Sequence, residues 1–396
     1  MDNLELTNNR IKKLFERTKN NQNLLLIEAT VDTGFEKVAI EELLIKFSEL
    51  NENDYCLSPG RIYFCIEILE LTKINNLRSV DNFSIVIYSD NLNFVSDKDE
   101  DLNIFKDLAN TIEFSKGLSV WSNFTDCPIQ FNDSDSFTST EFKFRITGIR
   151  SYKHAFTSME AASHFGGVIN DRFLWPVSMV EFHLEILLYI VADRVTVALK
   201  LTRRSNHRRN IAFFGPTTLR ATVCYNLLLL AKPKPGDVIV DPLCGGGSIP
   251  IECALAFPET VIFCGDNHER AIERTCNNLE AIPNILVHHF AWDATNLPFK
   301  DNSVDVIVTD LPFGKRSGSF SDNRVLYMKI LIEFGRIAKP NVTRMVLLTN
   351  DRRSLLNAMN KNKKQYWNKG QLLAVKLGGL KPLVSCFKRN KLIYEP

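Results

Sequence analysis

The sequence has no CxxC pair, and its nine cysteines (56, 65, 127, 224, 244, 253, 264, 276 and 386) stand at irregular spacing. An odd, scattered set makes no disulfide framework and argues for reduced thiols in a cytosolic or nuclear protein. Neither these cysteines nor the seven histidines fall into a metal-ligand pattern, so no metal is expected. No apolar run reaches the roughly 18 residues of a bilayer span. The stretch from Val180 to Ala192, for instance, is broken by Glu181, His183 and Glu185, and no membrane association is expected. The opening Met1-Asp2-Asn3-Leu4-Glu5 lacks the basic-then-apolar order of a signal peptide. No solenoid-type repeat is evident.

What is present describes an ordinary globular chain. Its 396 residues, 45% hydrophobic and 24% charged, suffice for two to three domains with their own cores. The net charge of +2 conceals an asymmetry. Residues 1–200 carry 20 Lys+Arg against 30 Asp+Glu, and residues 201–396 carry 28 against 16. A basic second half suits a polyanion such as nucleic acid; mutual attraction of the halves, or plain solvation, is the other reading.

Residues 1–22 read as a polar, Asn-rich, helix-prone lead-in. From residue 23 to 141 a strand (Leu24–Ala29), a helix (Gly34–Phe47) and two strands (Ile62–Leu69, Phe83–Tyr88) suggest a ferredoxin-like α+β region. Asp97 to Asp107 is acidic but lacks EF-hand spacing, and reads as a solvated loop entering a helix. Residues 142–200 repeat the strand-helix-strand-strand order, and 201–216 form a basic connector. From residue 217 to 396 helices and strands alternate, which predicts a parallel doubly wound, Rossmann-like sheet. Two closing strands, near Leu372–Leu377 and Val384–Phe387, suit a terminal hairpin.

The stretch from Val304 to Arg316 carries the first chemical signal. Four of its first five residues are apolar and mostly β-branched, as in a buried parallel strand; Asp310-Leu311-Pro312-Phe313-Gly314 follows. Pro312 fixes its own φ and biases Leu311 towards extended geometry, so the turn is stiff. Open α/β sheets place ligands just outside such strand ends. A carboxylate and a backbone carbonyl there can accept both N–H hydrogens of a nucleobase amine and localise its lone pair for attack, while an aromatic face stacks the base. An Asx-Pro turn without chemistry reads equally well from these residues alone.

A second constellation lies upstream. Val238-Ile239-Val240-Asp241 runs into Pro242-Leu243-Cys244-Gly245-Gly246-Gly247-Ser248: a buried strand, an acid, and a glycine turn opening a helix. Pro250 stands where a dinucleotide fingerprint needs its third glycine, and no Walker lysine follows. An acid ahead of the glycines suits S-adenosylmethionine, whose sulfonium and amino groups favour carboxylates. The next strand ends in Gly265-Asp266, 25 residues after Asp241, at the distance of a ribose-binding acid. Trp292-Asp293-Ala294 follows the third strand, placed for an adenine edge. Each acid alone also reads as a helix cap; together, in order and at strand ends with Asp310 after the fourth, they mark a cofactor site. Cys244 lies in the cofactor turn rather than at a nucleophile's position.

Three motifs together carry a resemblance: Phe214-Gly215-Pro216-Thr217-Thr218-Leu219, the Asp241–Gly247 turn, and Asp310-Leu311-Pro312-Phe313-Gly314-Lys315-Arg316. With Arg208-Arg209-Asn210-Ile211 just before the first, they resemble the THUMP-domain class I RNA methyltransferases, and among them those acting on guanosine N2 in tRNA. His154-Ala155-Phe156-Thr157-Ser158 and Phe165-Gly166-Gly167 are similar to the THUMP RNA-binding module, here residues 142–200. The match is good over about 142–390 and loose before it.

The resemblance implies S-adenosylmethionine as donor and guanine N2 at position six of the tRNA acceptor stem as acceptor. It also implies a THUMP module gripping the tRNA 3′ end and a small zinc-ribbon activator subunit as partner. Carried over by motif, Asp310 and the Leu311 carbonyl hold the amine, Pro312 stiffens the turn and Phe313 walls the base. Asp241, Gly245, Gly247, Asp266 and Asp293 take the cofactor, and Thr217 and Thr218 approach its methionine end. Gly246 replaces the family's usual Thr, and Leu311 replaces the Pro of enzymes acting on DNA amines. Arg203, Arg204, Arg208, Arg209, Lys315 and Arg316 are the expected RNA-phosphate contacts, with a solvated linker as the alternative for the first four. Two other functions stay open: methylation of another RNA, such as a small nuclear RNA, and RNA binding without turnover.

Overall fold

Among the described residues the predicted apolar runs form strands collected into two seven-stranded sheets. The computed structural model describes residues 2–125, 127, 138–314, 319–361 and 365–394. The chain divides into one unit of Met1–Thr30, Leu43–Leu77 and Asn82–Arg204, and a second of Val31–Glu42, Arg78–Asp81 and Ser205–Pro396.

The first stretch of chain contributes α1 (Asp2–Asn20), β1 (Leu24–Thr30), α2 (Glu36–Lys46), β2 (Tyr55–Ser58), β3 (Arg61–Glu67) and β4 (Asn82–Asn91). It continues through α3 (Lys98–Thr111), α4 (Ser115–Phe124), β5 (Phe144–Ser151), α5 (Ser158–Phe173), β6 (Leu184–Val191) and β7 (Arg194–Lys200). The first unit's sheet runs β2-β3-β1-β4-β7-β6-β5, antiparallel except for the β5–β6 pair. The two regions read separately as 23–141 and 142–200 therefore share one sheet, joined where β4 pairs β7 from Ser84↔Lys200 to Asn91↔Arg194. That pairing removes two open edges at once.

The lead-in is also more than a lead-in. Ile11, Leu14 and Phe15 of α1 are buried with Leu26, Tyr63, Val86 and Tyr189. An i, i+3, i+4 stripe of three apolar residues docks the helix, although its Asn-rich remainder masks the pattern. The acidic stretch becomes a helix start: Asp97 accepts from the Asp99 and Glu100 amides and caps α3. A reciprocal capping box between Thr157 and Glu160 opens α5.

The second unit holds α6 (Ala221–Ala231), β8 (Val238–Asp241), α7 (Ser248–Ala256), β9 (Val261–Asp266), α8 (Glu269–Glu280) and β10 (His288–Ala291). After these come β11 (Val306–Asp310), α9 (Phe320–Ile337), β12 (Arg344–Thr349), α10 (Arg352–Lys361), β13 (Trp367–Ala374) and β14 (Leu383–Arg389). Its sheet runs β10-β9-β8-β11-β12-β14-β13. The first five strands are parallel and the last two add an antiparallel hairpin.

Strand order reverses between β8 and β11, which pair directly through Val306↔Ile239 and Ile307↔Val240. That reversal is the switch point where doubly wound sheets bind ligands. Val240, Ile307, Leu311, Tyr327, Leu331 and Phe334 fill the core beneath it. Each such apolar side chain contributes roughly 1.5–3 kcal/mol when fully buried. Some boundaries moved. Strand β13 starts at Trp367, five residues before the expected Leu372. Helix α6 starts at Ala221, leaving Thr217 and Thr218 in the turn before it. No helix among the described residues is long and apolar enough to cross a membrane.

Candidate active site

The glycine turn after β8 is shaped by backbone need. Gly245 (φ 56) and Gly247 (φ 81) lie in the left-handed region, where a side chain is strained. Around Gly245 no atom stands where a Cβ would point, so that face of the turn is open. Gly246 has no such requirement: a Cβ there would meet only ordinary contacts at 3.7 Å and beyond.

Helix α8 holds the turn from behind. Thr275 donates to the Gly245 carbonyl (3.0 Å) and Asn278 to the Gly246 carbonyl (2.9 Å). Asn278 also accepts from the Ala212 and Phe213 amides (3.0 and 2.8 Å) and donates to the Phe213 carbonyl (3.1 Å). Fully buried, its carboxamide ties the segment ahead of Thr217 to the glycine turn. Thr218 closes that segment by accepting from the Gly215 amide at 2.6 Å.

The acids occupy the strand ends as expected, but they do different work. Asp266 accepts from the Gly245 amide (3.0 Å) through one oxygen and from the His268 amide (2.9 Å) through the other. It therefore braces the turn while keeping lone pairs for a ligand. Asp241 is buried; its Oδ1 accepts from the Leu243 amide (3.3 Å), and the buried Thr309 hydroxyl serves its carboxyl. Burial, and then the charge of Asp310, push its carboxyl well above the usual range. Burial likewise pushes Asp310 up to about 7, with Asp266 adding to the rise.

Asp241 and Asp310, both raised by burial and by a neighbouring acid, make a site short of positive charge. A cationic ligand against the open glycine turn relieves that deficit. Asp293 stands differently: it is exposed, and its Oδ1 is engaged by the Thr295 amide and hydroxyl, both at 2.8 Å. Its neighbour Trp292 is buried and donates to the Pro242 carbonyl (3.1 Å). That approach needs Gly265, where a Cβ would stand 2.5 Å from the indole ring. Cys244 is no nucleophile: the adjoining Cys264 thiol and burial hold its thiol well above the ordinary range.

At the end of β11, Leu311 is buried and its amide donates to the Leu348 carbonyl (2.8 Å). The Pro312 carbonyl accepts from the Tyr327 hydroxyl (2.6 Å) and the Asn323 carboxamide (2.9 Å). Phe313 is half-buried beside it. Lys315 and Arg316 lie outside the described residues. Of the four connector arginines, Arg203 and Arg204 are exposed in the first unit and Arg208 is exposed in the second. Arg209 departs from expectation: its Nη2 donates to buried Glu252 (2.7 Å) and to the Arg78 carbonyl (2.6 Å), so its charge is committed to a buried acid.

Over 446 aligned residues the chain is 35% identical to tRNA (guanine(6)-N(2))-methyltransferase THUMP3 of Homo sapiens, covering 91% of this chain and 87% of that one. The chain belongs to the THUMP-domain RNA methyltransferase family. Residues 208–382 of this THUMP-domain methyltransferase match the family described as RMKL-like, methyltransferase domain. It is 29% identical over 198 residues to U6 snRNA (guanine-N(2))-methyltransferase THUMPD2 of Homo sapiens, covering 50% of this chain and 38% of that one. The crystal structure of TrmN from Thermus thermophilus superposes with a TM-score of 0.75 at 21% identity, over 92% of this chain and 99% of that one. At that identity the likeness speaks for the fold.

Sequence reading missed the polar residues that hold these motifs in place. Thr275, Asn278, Asn323 and Tyr327 each bond a partner 11 or more residues away. The one available signal was polar residues at helical spacing (Thr275 and Asn278, Asn323 and Tyr327), which reads as an ordinary amphipathic face.

Proposed function

We propose that this chain methylates the exocyclic N2 of a guanosine in tRNA, at position six of the acceptor stem, with S-adenosylmethionine as donor. The observation that carries the reading is the pairing of β8 with β11. It sets the acid-and-glycine cradle beside Asp310-Leu311-Pro312-Phe313 at one switch point. The relative named for guanine(6) N2 supplies the acceptor. When bound, the cofactor brings an electrophilic methyl on a positively charged sulfur. Asp241, Asp266 and the Gly245–Gly247 backbone would hold it, with Thr217 and Thr218 at the methionine end. Asp310 and the Leu311 carbonyl accept the two amine hydrogens, and Phe313 walls the base. Arg203, Arg204, Arg208, Lys315 and Arg316 serve the RNA phosphates, and the reduced cysteines suit the cytosol or nucleus.

The deciding experiment supplies labelled cofactor with total tRNA and with U6 small nuclear RNA, then identifies the labelled nucleoside. N2-methylguanosine from tRNA supports the reading. Label only in the small nuclear RNA favours the second reading, which the partial match to THUMPD2 motivates. Label on N6-methyladenosine or on protein overturns both, and no label with either RNA, with activator present, favours a silent RNA-binding role.

The pH dependence has a definite sign. Asp310, raised to about 7, must be ionised to offset the positive charge that develops on the amine. For the wild type kcat/KM therefore rises by about tenfold per unit below pH 7 and levels above it. The limb in kcat lies at lower pH, because the bound sulfonium favours the carboxylate. A flat profile from pH 6 to 8 would remove Asp310 from the acceptor role.

The small zinc-ribbon activator is the proposed partner, and β10 its docking edge. The sheet has two outer strands. β13 is guarded by a bulge and Lys369, the devices that discourage strand addition. β10 is a short His-His-Phe-Ala edge with exposed Phe290, beside exposed Leu286 and Val261. Phe290→Lys should abolish co-purification with the co-expressed activator and leave the second unit folded by circular dichroism. Retained co-purification would move the partner elsewhere.

A further inference from the structure

The turn proposed to accept the amine is locked from behind by a polar network that the chemistry described so far does not use. Its centre is the Pro312 carbonyl. Tyr327 donates to it at 2.6 Å and Asn323 at 2.9 Å, and both residues are buried on one face of α9, four positions apart. Each donor is anchored in turn. The Tyr327 hydroxyl also meets the Thr349 hydroxyl (2.8 Å), and Asn323 also donates to Asp351 (3.2 Å). Asp351 accepts from the Ser354 amide (3.1 Å), and its own amide donates to Thr349 (2.9 Å). All four side chains are at most 5% exposed, so the network is closed to water.

Two donors on one carbonyl fill both of its lone pairs and fix the Pro312–Phe313 peptide plane. The proline ring fixes φ at Pro312. On the other side Leu311 is held by its amide bond to Leu348 and by a buried side chain. The Leu311 carbonyl lies between these fixed points and receives no hydrogen bond among the described residues. Of the Pro312 and Leu311 carbonyls, the first is saturated and the second is held open.

We propose that Tyr327 and Asn323 are positioning residues for the methyl-accepting amine. By saturating the Pro312 carbonyl they hold Asp310, the Leu311 carbonyl and Phe313 in one rigid turn and leave Leu311 as the acceptor. The inference rests on the amine-methylation reading, because only a planar amine needs two acceptors fixed relative to each other.

The test is Tyr327→Phe, which removes one hydroxyl and keeps the ring. Its control is Thr343→Val, which deletes a buried hydrogen bond to the Val304 carbonyl (2.7 Å) at the opposite end of β11 and β12. Tyr327→Phe should lower kcat about tenfold, with KM for tRNA and the affinity for S-adenosylhomocysteine within about twofold of wild type. Hydrogen exchange at the Phe313 and Gly314 amides should quicken. Thr343→Val should lose similar thermal stability and keep kcat. Equal kcat loss in both variants makes Tyr327 merely structural and overturns the inference, as does unchanged kcat with unchanged exchange. If the wild type makes no N2-methylguanosine, the functional reading fails, and the exchange rates still decide whether Tyr327 rigidifies the turn.

Discussion

Asp310→Ala should lower methyl transfer by at least about 10²–10³-fold, the cost of removing one prearranged group that meets developing charge. Binding of S-adenosylhomocysteine, measured by calorimetry, should stay within a few-fold of wild type, because Asp266 and the glycine turn remain. Asp310→Asn should fall between, since a carboxamide still accepts a hydrogen bond but carries no charge. Stability should move the other way. The carboxyl is raised from 3.8 to about 7, so the folded protein holds a proton that the unfolded chain has released between those values. Below pH 4 the wild type bears no cost from this group; the cost grows as pH rises to about 7 and is constant above it. Asp310→Asn should therefore be more stable than wild type at pH 8, by an amount on the order of 2–4 kcal/mol, and about equal at pH 4. A gain in melting temperature joined to a loss of turnover marks a group kept for chemistry at the expense of stability. Loss of cofactor binding in Asp310→Ala would instead assign Asp310 to the cradle.

Strand ends were the legible part of this site. A parallel strand buried on both faces reads as an apolar run, so an acid at its end stands out, as Asp241, Asp266 and Asp310 do. Glycines forced to positive φ, such as Gly245 and Gly247, are visible for the same local reason. What could not be read depends on distant partners. Asn278 reaches back 65 residues to Phe213, and nothing in the surrounding Glu269–Glu280 sequence separates it from a surface asparagine. Helix periodicity gives the face on which Tyr327 lies but not the carbonyl it meets. The sharing of one sheet by residues 23–141 and 142–200 was hidden likewise, because β4 and β7 meet across more than a hundred residues. Arginine was the most misleading type. Arg208 and Arg209 are adjacent and chemically identical in the sequence, yet one is exposed and the other is committed to a buried acid.

That contrast yields the second large effect. Glu252 is 1% exposed on α7. It accepts from Arg78 (2.7 Å) and Arg209 (2.7 Å) on one oxygen and from Asn210 (3.0 Å) on the other. Burial alone would raise its carboxyl; the two guanidinium groups overcome this and hold it below the usual range. Replacing one partner of such a buried pair costs about 3–5 kcal/mol, and a second acid beside the first costs at least as much. Arg209→Glu should therefore lower the melting temperature sharply even without RNA. Arg208→Glu should leave it unchanged and instead weaken tRNA binding, flattening the dependence of log affinity on log salt by about one unit. If Arg209→Glu keeps its stability and only flattens the salt slope, the buried pair is not what holds it. The consequence reaches the cofactor. The 205–220 segment is pinned to α7 by Arg209 and Asn210 and to α8 by Asn278, and between them these two helices bracket the Gly245–Gly247 turn. Releasing the first pin should loosen Thr217 and Thr218, so folded Arg209→Glu protein should bind S-adenosylhomocysteine more weakly than Arg208→Glu does.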